Sequence, residues 1–456
     1  MKTKKYEIDM TSGPLLGKIL LFSIPLMLSG MLQLLFNAAD IVVVGRFVGE
    51  SALAAVGATG ALTNLLTNVF IGFSVGTNVL VARSIGSGMD AHTSETVHTS
   101  ILFSLICGAF LALLGVILAK PLLELMGTPE DVIDQATLYM RIYFLGMPAG
   151  MLYNFGNAVM RAIGDTRRPM YYLVIAGVIN VIFNLLFVIK FKMDVAGVAL
   201  ATIISQAISA ALIVRCLCRL DGSCRLDLKR LHINGRILRQ IVWVGLPAGI
   251  QGAVFSLSNV MIQSSINLFG KTAMAGNTAA ANIEGFIYIA MNSIYQTALS
   301  FTSQNYGATK FDRIKKIFWI CIATVSIIGL VLGNIAYLFG GTLLQIYSSQ
   351  ADVISYGLTR MQYVCCFYLL CGVMDTIVGA LRGLGSSVAP MLISLAGACG
   401  LRILWIFTIF AAKTELWVLY LSYPVTWAIT GAVQFMFFMI LFKKCSRRHQ
   451  PSPAIQ

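Results

Sequence analysis

Four side chains able to hold a hard cation or a proton stand in otherwise apolar sequence in the first half of the chain: Asp40, Asn180, Asn184 and Thr202. Asn180 and Asn184 are one helical turn apart and so share a face. One carboxylate ringed by neutral oxygens suits Na+ or an exchangeable proton. The second half places Glu284, Asp375 and Arg402 in comparable surroundings. An ionisable group inside a bilayer costs about 2.5–3.5 kcal/mol on insertion scales and is a functional candidate by default. Counting ~1.5 Å of rise per residue brings the first four to similar depths, between the midplane and the outer half of a bilayer. The same counting brings Glu284 and Arg402 near the midplane, where a buried ion pair between them is expected, either fixed or opening as a gate. The plainer readings are that Asp40 caps the turn toward Arg46 and Glu50, and that the two asparagines and Thr202 only bond between helices.

Such residues need spans to carry them. The chain has 456 residues, 57% of them hydrophobic and 11% charged, where soluble domains carry roughly 25% charged residues. Runs such as 101–119, 170–189, 195–214, 317–339 and 416–442 meet or approach the roughly 20 apolar residues of a spanning helix. They do not alternate as transmembrane strands do. Hydropathy and punctuation predict twelve spans, near 16–44, 52–82, 94–119, 132–160, 169–189, 195–217, 237–264, 273–303, 316–340, 353–380, 389–411 and 416–442. The first apolar stretch holds Pro25 and runs on to Asp40 with no small-residue cleavage site, so it reads as a retained span.

The net charge of +14 is a topology signal. Of the 33 Lys and Arg residues, 24 fall in one set of loops and ends, six in the other, and Arg141, Arg360 and Arg402 inside spans. Cytoplasmic loops collect Lys and Arg, so both termini are expected in the cytoplasm, and nucleic-acid binding is not needed to explain the charge.

Shifted by 221 residues, the sequence matches itself. Arg161, Gly164, Pro169 and Met170 fall on Arg382, Gly385, Pro390 and Met391, and one residue further Pro25, Gly30 and Asn37 fall on Pro247, Gly252 and Asn259. The unit is six spans, used twice in one orientation, with halves expected at 1–218 and 237–442, a basic cytoplasmic linker at 219–236 and a tail at 443–456. Parallel repeats are a transporter architecture, with alternating access at the repeat interface.

Other chemistry finds little support. His92, His98, His232 and His449 form no His-Glu-x-x-His motif. Gly270-Lys271-Thr272 resembles a P-loop ending, but Ser265 stands where the first glycine must be. Cys216, Cys218 and Cys224 lack a second ligand pair at zinc-site spacing, and the cysteines within spans read as packing residues. Phe36, Tyr153, Phe155, Phe255, Tyr288 and Tyr295 could offer ring faces to a flat organic cation, or simply pack. Gly72-x-x-x-Gly76 and Gly146-x-x-x-Gly150 permit close helix approach.

The stretch Asn37-Ala-Ala-Asp40-Ile-Val-Val-Val-Gly45-Arg46, the Pro25 entry, the paired Arg-x-x-Gly turns at Arg161 and Arg382, and Gln304-Asn-Tyr-Gly307 resemble the multidrug and toxic compound extrusion (MATE) transporters. The resemblance covers essentially the whole chain. It implies an all-α integral membrane protein, twelve transmembrane helices in two pseudo-symmetric six-helix bundles set in a V. It also implies export of small, often cationic organic compounds or amphiphiles against inward H+ or Na+, with no cofactor, from a bacterial cytoplasmic membrane and by a functional monomer. It further implies a cation site at Asp40, Asn180, Asn184 and Thr202. Many members carry a second carboxylate where this chain has Asn184, and some carry an acid in the seventh span where 251–259 has none; both departures leave the coupling ion open. Lipid-linked flippases share this architecture and are the alternative, with a membrane-embedded enzyme or receptor behind them.

Overall fold

Residues with so few charges can satisfy their backbone in lipid only by closing hydrogen bonds within each segment, and the computed structural model, which describes residues 6–449, contains helices and no strand among them. In chain order these are α1 (Leu15–Phe47), α2 (Glu50–Gly86), α3 (Asp90–Leu125), α4 (Glu130–Leu145), α5 (Met147–Ala162), α6 (Arg167–Leu185) and α7 (Asp194–Cys218). After a linker come α8 (Gly235–Asn267), α9 (Gly270–Gly307), α10 (Phe311–Leu338), the short α11 (Gly340–Gln345), α12 (Ala351–Val364), α13 (Tyr368–Gly383), α14 (Val388–Ser394), α15 (Arg402–Trp405) and α16 (Leu416–His449). Among the described residues nine helices are long and apolar enough to cross a membrane, ten if α12 and α13, bent by 48°, form one span. The α4–α5 pair and the polar α9 make up the twelve passes.

The duplication is visible in how helices break. The α4–α5 break lies at Gly146 and the α12–α13 break at 365–367, at matching positions of the two repeats. Both following helices then end the same way. Gly164 and Gly385 take φ of +88° and +92°, and the amides after them reach back five residues, Asp165 N–H to the Met160 carbonyl at 2.9 Å and Ser386 N–H to the Leu381 carbonyl at 3.0 Å. That is a Schellman stop, which needs a left-handed residue and so favours glycine. The paired Arg-x-x-Gly turns of the sequence are therefore helix ends.

The chain divides into two compact units, the described part of Met1–Asp9 with Leu28–Ala253, and Met10–Met27 with the described part of Val254–Gln456. In the first unit α3, α4 and α5 enclose a core of Leu111, Leu123, Met140, Phe144, Met151 and Phe155. Gly72 and Gly76 of α2 meet Gly245 and Gly249 of α8: a Cβ on Gly72 would stand 2.5 Å from Gly249 Cα and 2.8 Å from the Gly245 oxygen. Gly72→Val is thus expected to force these backbones apart at a cost of about 1–3 kcal/mol, read as a lower thermal midpoint of the purified protein.

The linker is pinned to the N-terminal end of α3. His98 donates from Nδ1 to the Ser94 carbonyl at 2.7 Å, which leaves Nε2 to accept the Asp227 amide at 3.0 Å. Asn234 donates to Glu95 at 2.9 Å. Burial pushes the linker's Cys224 thiol up to about 12, so alkylation of Cys224 by maleimide near neutral pH is expected to be slow until the protein unfolds. Mass spectrometry after timed labelling checks this.

In the second unit α9 is the central helix, flanked by α10, α12 and α13. Its composition is polar because its Ser and Thr hydroxyls are satisfied within the helix, Thr297 donating to the Ser293 carbonyl and Ser303 to that of Leu299, each at 2.7 Å.

Candidate functional site

The first unit assembles three of the four cation-ligand candidates. α1 delivers Asp40 and α6 delivers Asn180 and Asn184 on one face. The Asn184 amide Nδ2 donates to Asp40 Oδ1 and, at 3.2 Å, to Asn180 Oδ1. Asn184 is fully buried and Asn180 is 5% exposed, while Asp40 is half-buried. Beyond them Val43, Val44, Ala52, Val188, Val195 and Val198 form an apolar cluster with Tyr139 packed against it, which keeps the carboxylate out of bulk water on that side. Asn184 Oδ1 is buried with no hydrogen-bond partner among the described residues, an acceptor that costs about 1–3 kcal/mol to leave unfilled. Thr202 stands apart from this network: its hydroxyl donates to the Val198 carbonyl of its own helix at 3.0 Å. The helix carrying the asparagines ends in a π stretch, Leu186–Lys190, a distortion frequent at functional sites.

The expected Glu284–Arg402 pair does not form. Glu284 is instead bound by both nitrogens of one edge of Arg360, Nη2 to Oε2 at 2.6 Å and Nε to Oε1 at 2.8 Å. Arg360 Nη1 donates to Asn277 Oδ1 at 2.7 Å, an oxygen that also accepts from the Tyr420 hydroxyl at 3.3 Å. Asn277 passes its own amide to Gln263 at 3.0 Å. Counting depth along straight helices misses this, because the bend between α12 and α13 and the π stretches Leu395–Leu401 and Ile406–Phe410 change which faces meet. Arg402 turns toward α16, where it lies 4.1 Å from the Tyr423 ring centre and donates to the Thr426 hydroxyl at 3.2 Å. Asp375 is an electrostatic neighbour of Tyr288 and makes no ion pair among the described residues.

The aromatic candidates separate. Tyr288 is 39% exposed and available to a ligand. Phe255 and Tyr153 are half-buried. The Phe36 ring fills the space over Gly177 of α6, so it packs α1 on α6. Phe155 is fully buried against Phe103, and Tyr295 is buried with its hydroxyl accepting from Arg382 at 2.5 Å. These last two belong to the core and not to an open wall. The residues that sequence reading passed over are Arg360, Asn277, Tyr420 and Tyr423, brought together from α12, α9 and α16.

A two-repeat helical membrane fold with a polar cluster buried in each unit is a transporter architecture, and the comparisons agree. The MatE family model matches twice, over residues 25–186 and 247–408, with the same offset at both ends and in step with the internal shift. The chain belongs to the MatE family, and it is a transporter, not an enzyme. The probable multidrug resistance protein YoeA of Bacillus subtilis (strain 168) is 27% identical over 432 residues, 93% of each chain. An FAD transporter of Shewanella oneidensis is 26% identical over 392 residues, 84% of this chain and 86% of its own. A solved outward-facing multidrug resistance MATE transporter superposes with a TM-score of 0.90 at 22% identity, covering 98% of this chain and 100% of its own, and has this twelve-helix fold.

Proposed function

We propose that this chain exports small organic compounds across a bacterial cytoplasmic membrane, with both termini inside, by exchanging each for H+ or Na+ at Asp40. One observation carries the reading: a carboxylate in a spanning helix is held by Asn184, whose own carbonyl oxygen is buried and unfilled. With Asp40 and Asn180 that oxygen fits a small cation, and the Thr202 hydroxyl, once a rotamer change frees it from Val198, completes the set. A proton would use Asp40 alone. Multidrug efflux is the cargo reading favoured by the relatives, one of which is an FAD transporter. Access alternates between the two faces, and the ion acts by binding Asp40 more tightly in one state than in the other.

The test is efflux of a fluorescent cationic dye from cells expressing the protein, with external Na+ varied and then an uncoupler added. Loss of efflux on Na+ removal assigns Na+, loss on uncoupling assigns H+, and efflux indifferent to both sinks the coupling. Asn184→Ala removes the amide that orders Asp40 and is expected to raise the half-saturating concentration of that ion about tenfold, measured as the ion dependence of dye efflux.

A further inference from the structure

Charge does not balance in the second unit. Arg360 and Arg402 are both buried, at 8% and 5% exposure, and both lie against one ring, Tyr423, at 5.6 and 4.1 Å from its centre. The only carboxylate paired in this cluster, Glu284, is taken by Arg360 on two nitrogens. Arg402 has no acidic partner among the described residues. Its sole hydrogen bond there is to Thr426, and Nε is buried without one. A lone guanidinium in such a place is costly unless something pairs with it. Its helix is also distorted: Arg402 begins a four-residue α segment between the π stretches Leu395–Leu401 and Ile406–Phe410. The second of these matches Leu186–Lys190 of the first repeat, whereas the first has no counterpart. The distortion that aims Arg402 at α16 is therefore private to this half.

We propose that Arg402, with Tyr423, Trp427 and Thr426, binds the carboxylate, sulfonate or phosphate group of an organic compound with a flat apolar body. Guanidinium presents a planar fork of donors matched to such anions. Tyr368 and Tyr423 both adjoin Trp427, with ring centres 5.5 Å and 5.4 Å away, and the three rings supply surface for the apolar part. Arg360 is neutralised by Glu284 and also bonded to Asn277, so the anion is assigned to Arg402 alone. Asp375 and Arg382, both on α13, are further charges of this unit, and among the described residues Asp375 makes no ion pair with Arg402. The binding claim stands on these contacts alone; only the direction of transport rests on the export reading.

Calorimetric titration of the purified protein in detergent, against detergent blanks, compares 2-naphthoate with 2-naphthalenemethanol, the same ring without the charge. The wild type is expected to bind the carboxylate about tenfold more tightly, Arg402→Gln to lose that preference, and Arg402→Lys to keep part of it. Displacement of naphthoate by sodium phosphate would show that free anions also fill the site; no displacement would confine it to organic ones. Equal binding of acid and alcohol by the wild type overturns the proposal without need of a variant, as does an unchanged preference in Arg402→Gln. Dye efflux in cells keeps the two readings apart. A carboxylate preference without efflux leaves this site standing and removes the export reading, and efflux without the preference does the reverse.

Discussion

Asp40→Asn is expected to fold, to reach the membrane at wild-type levels and to export dye at less than about a tenth of the wild-type rate. The amide keeps the size of the carboxylate and can still bond with Asn184, so packing around Val43, Val44 and Val198 is unchanged. What it loses is the charge that takes up a proton or balances Na+. A single carboxylate exchanges one cation per cycle, which sets the energetics. Exchange against a monovalent cationic cargo moves no net charge, so only the ion gradient drives it. For an anionic cargo, two charges move inward per cycle, and each is driven by about 2.3 kcal/mol per 100 mV. Dye export from intact cells, normalised to protein in the membrane, reads the result, and wild-type export by Asp40→Asn removes Asp40 from the mechanism.

The largest effect on stability is expected at Arg360. Arg360→Met leaves Glu284 buried without its two hydrogen bonds from Arg360, and Asn277 with one donor fewer. An uncompensated buried charge costs about 3–5 kcal/mol. In a chain of this size, with an unfolding entropy of about 2.1 cal/mol/K per residue, that corresponds to a fall of about 3–5 °C in the unfolding midpoint. Arg360→Met combined with Glu284→Leu removes both charges and is expected to recover most of the loss, because replacing a buried pair with apolar groups is often neutral or better. Thermal unfolding in detergent compares the three proteins. A single variant as stable as the wild type would show that Glu284 does not depend on Arg360.

The spans and the duplication were legible in sequence because each rests on a local rule: apolar length for the spans, and fixed offsets of Gly, Pro and Arg for the repeats. Asn180 and Asn184 were legible for the same reason, since two polar side chains four apart on an apolar helix can only share a face. Asp40 stood out as the one acid in its span. Arg360 did not, although it too lay within a span. It sits on α12 among Ser355, Tyr356, Thr359 and Gln362, where a basic residue looks unexceptional, and no periodicity links it to Glu284 76 residues earlier. Its role follows from the bend after α12 and from the π stretches that turn Arg402 elsewhere. Both are departures from straight α-helix that apolar composition does not announce. The burial of Tyr295 was hidden likewise, since its partner Arg382 was read as part of a repeated turn and not as a buried donor.

The most direct test uses proteoliposomes loaded with cationic dye and given an inward gradient of Na+ or of H+ alone. The expected result is dye release driven by one of the two gradients with wild-type protein and no gradient-dependent release with Asp40→Asn. Release that ignores both gradients, or that Asp40→Asn sustains under either one, would contradict ion exchange at Asp40.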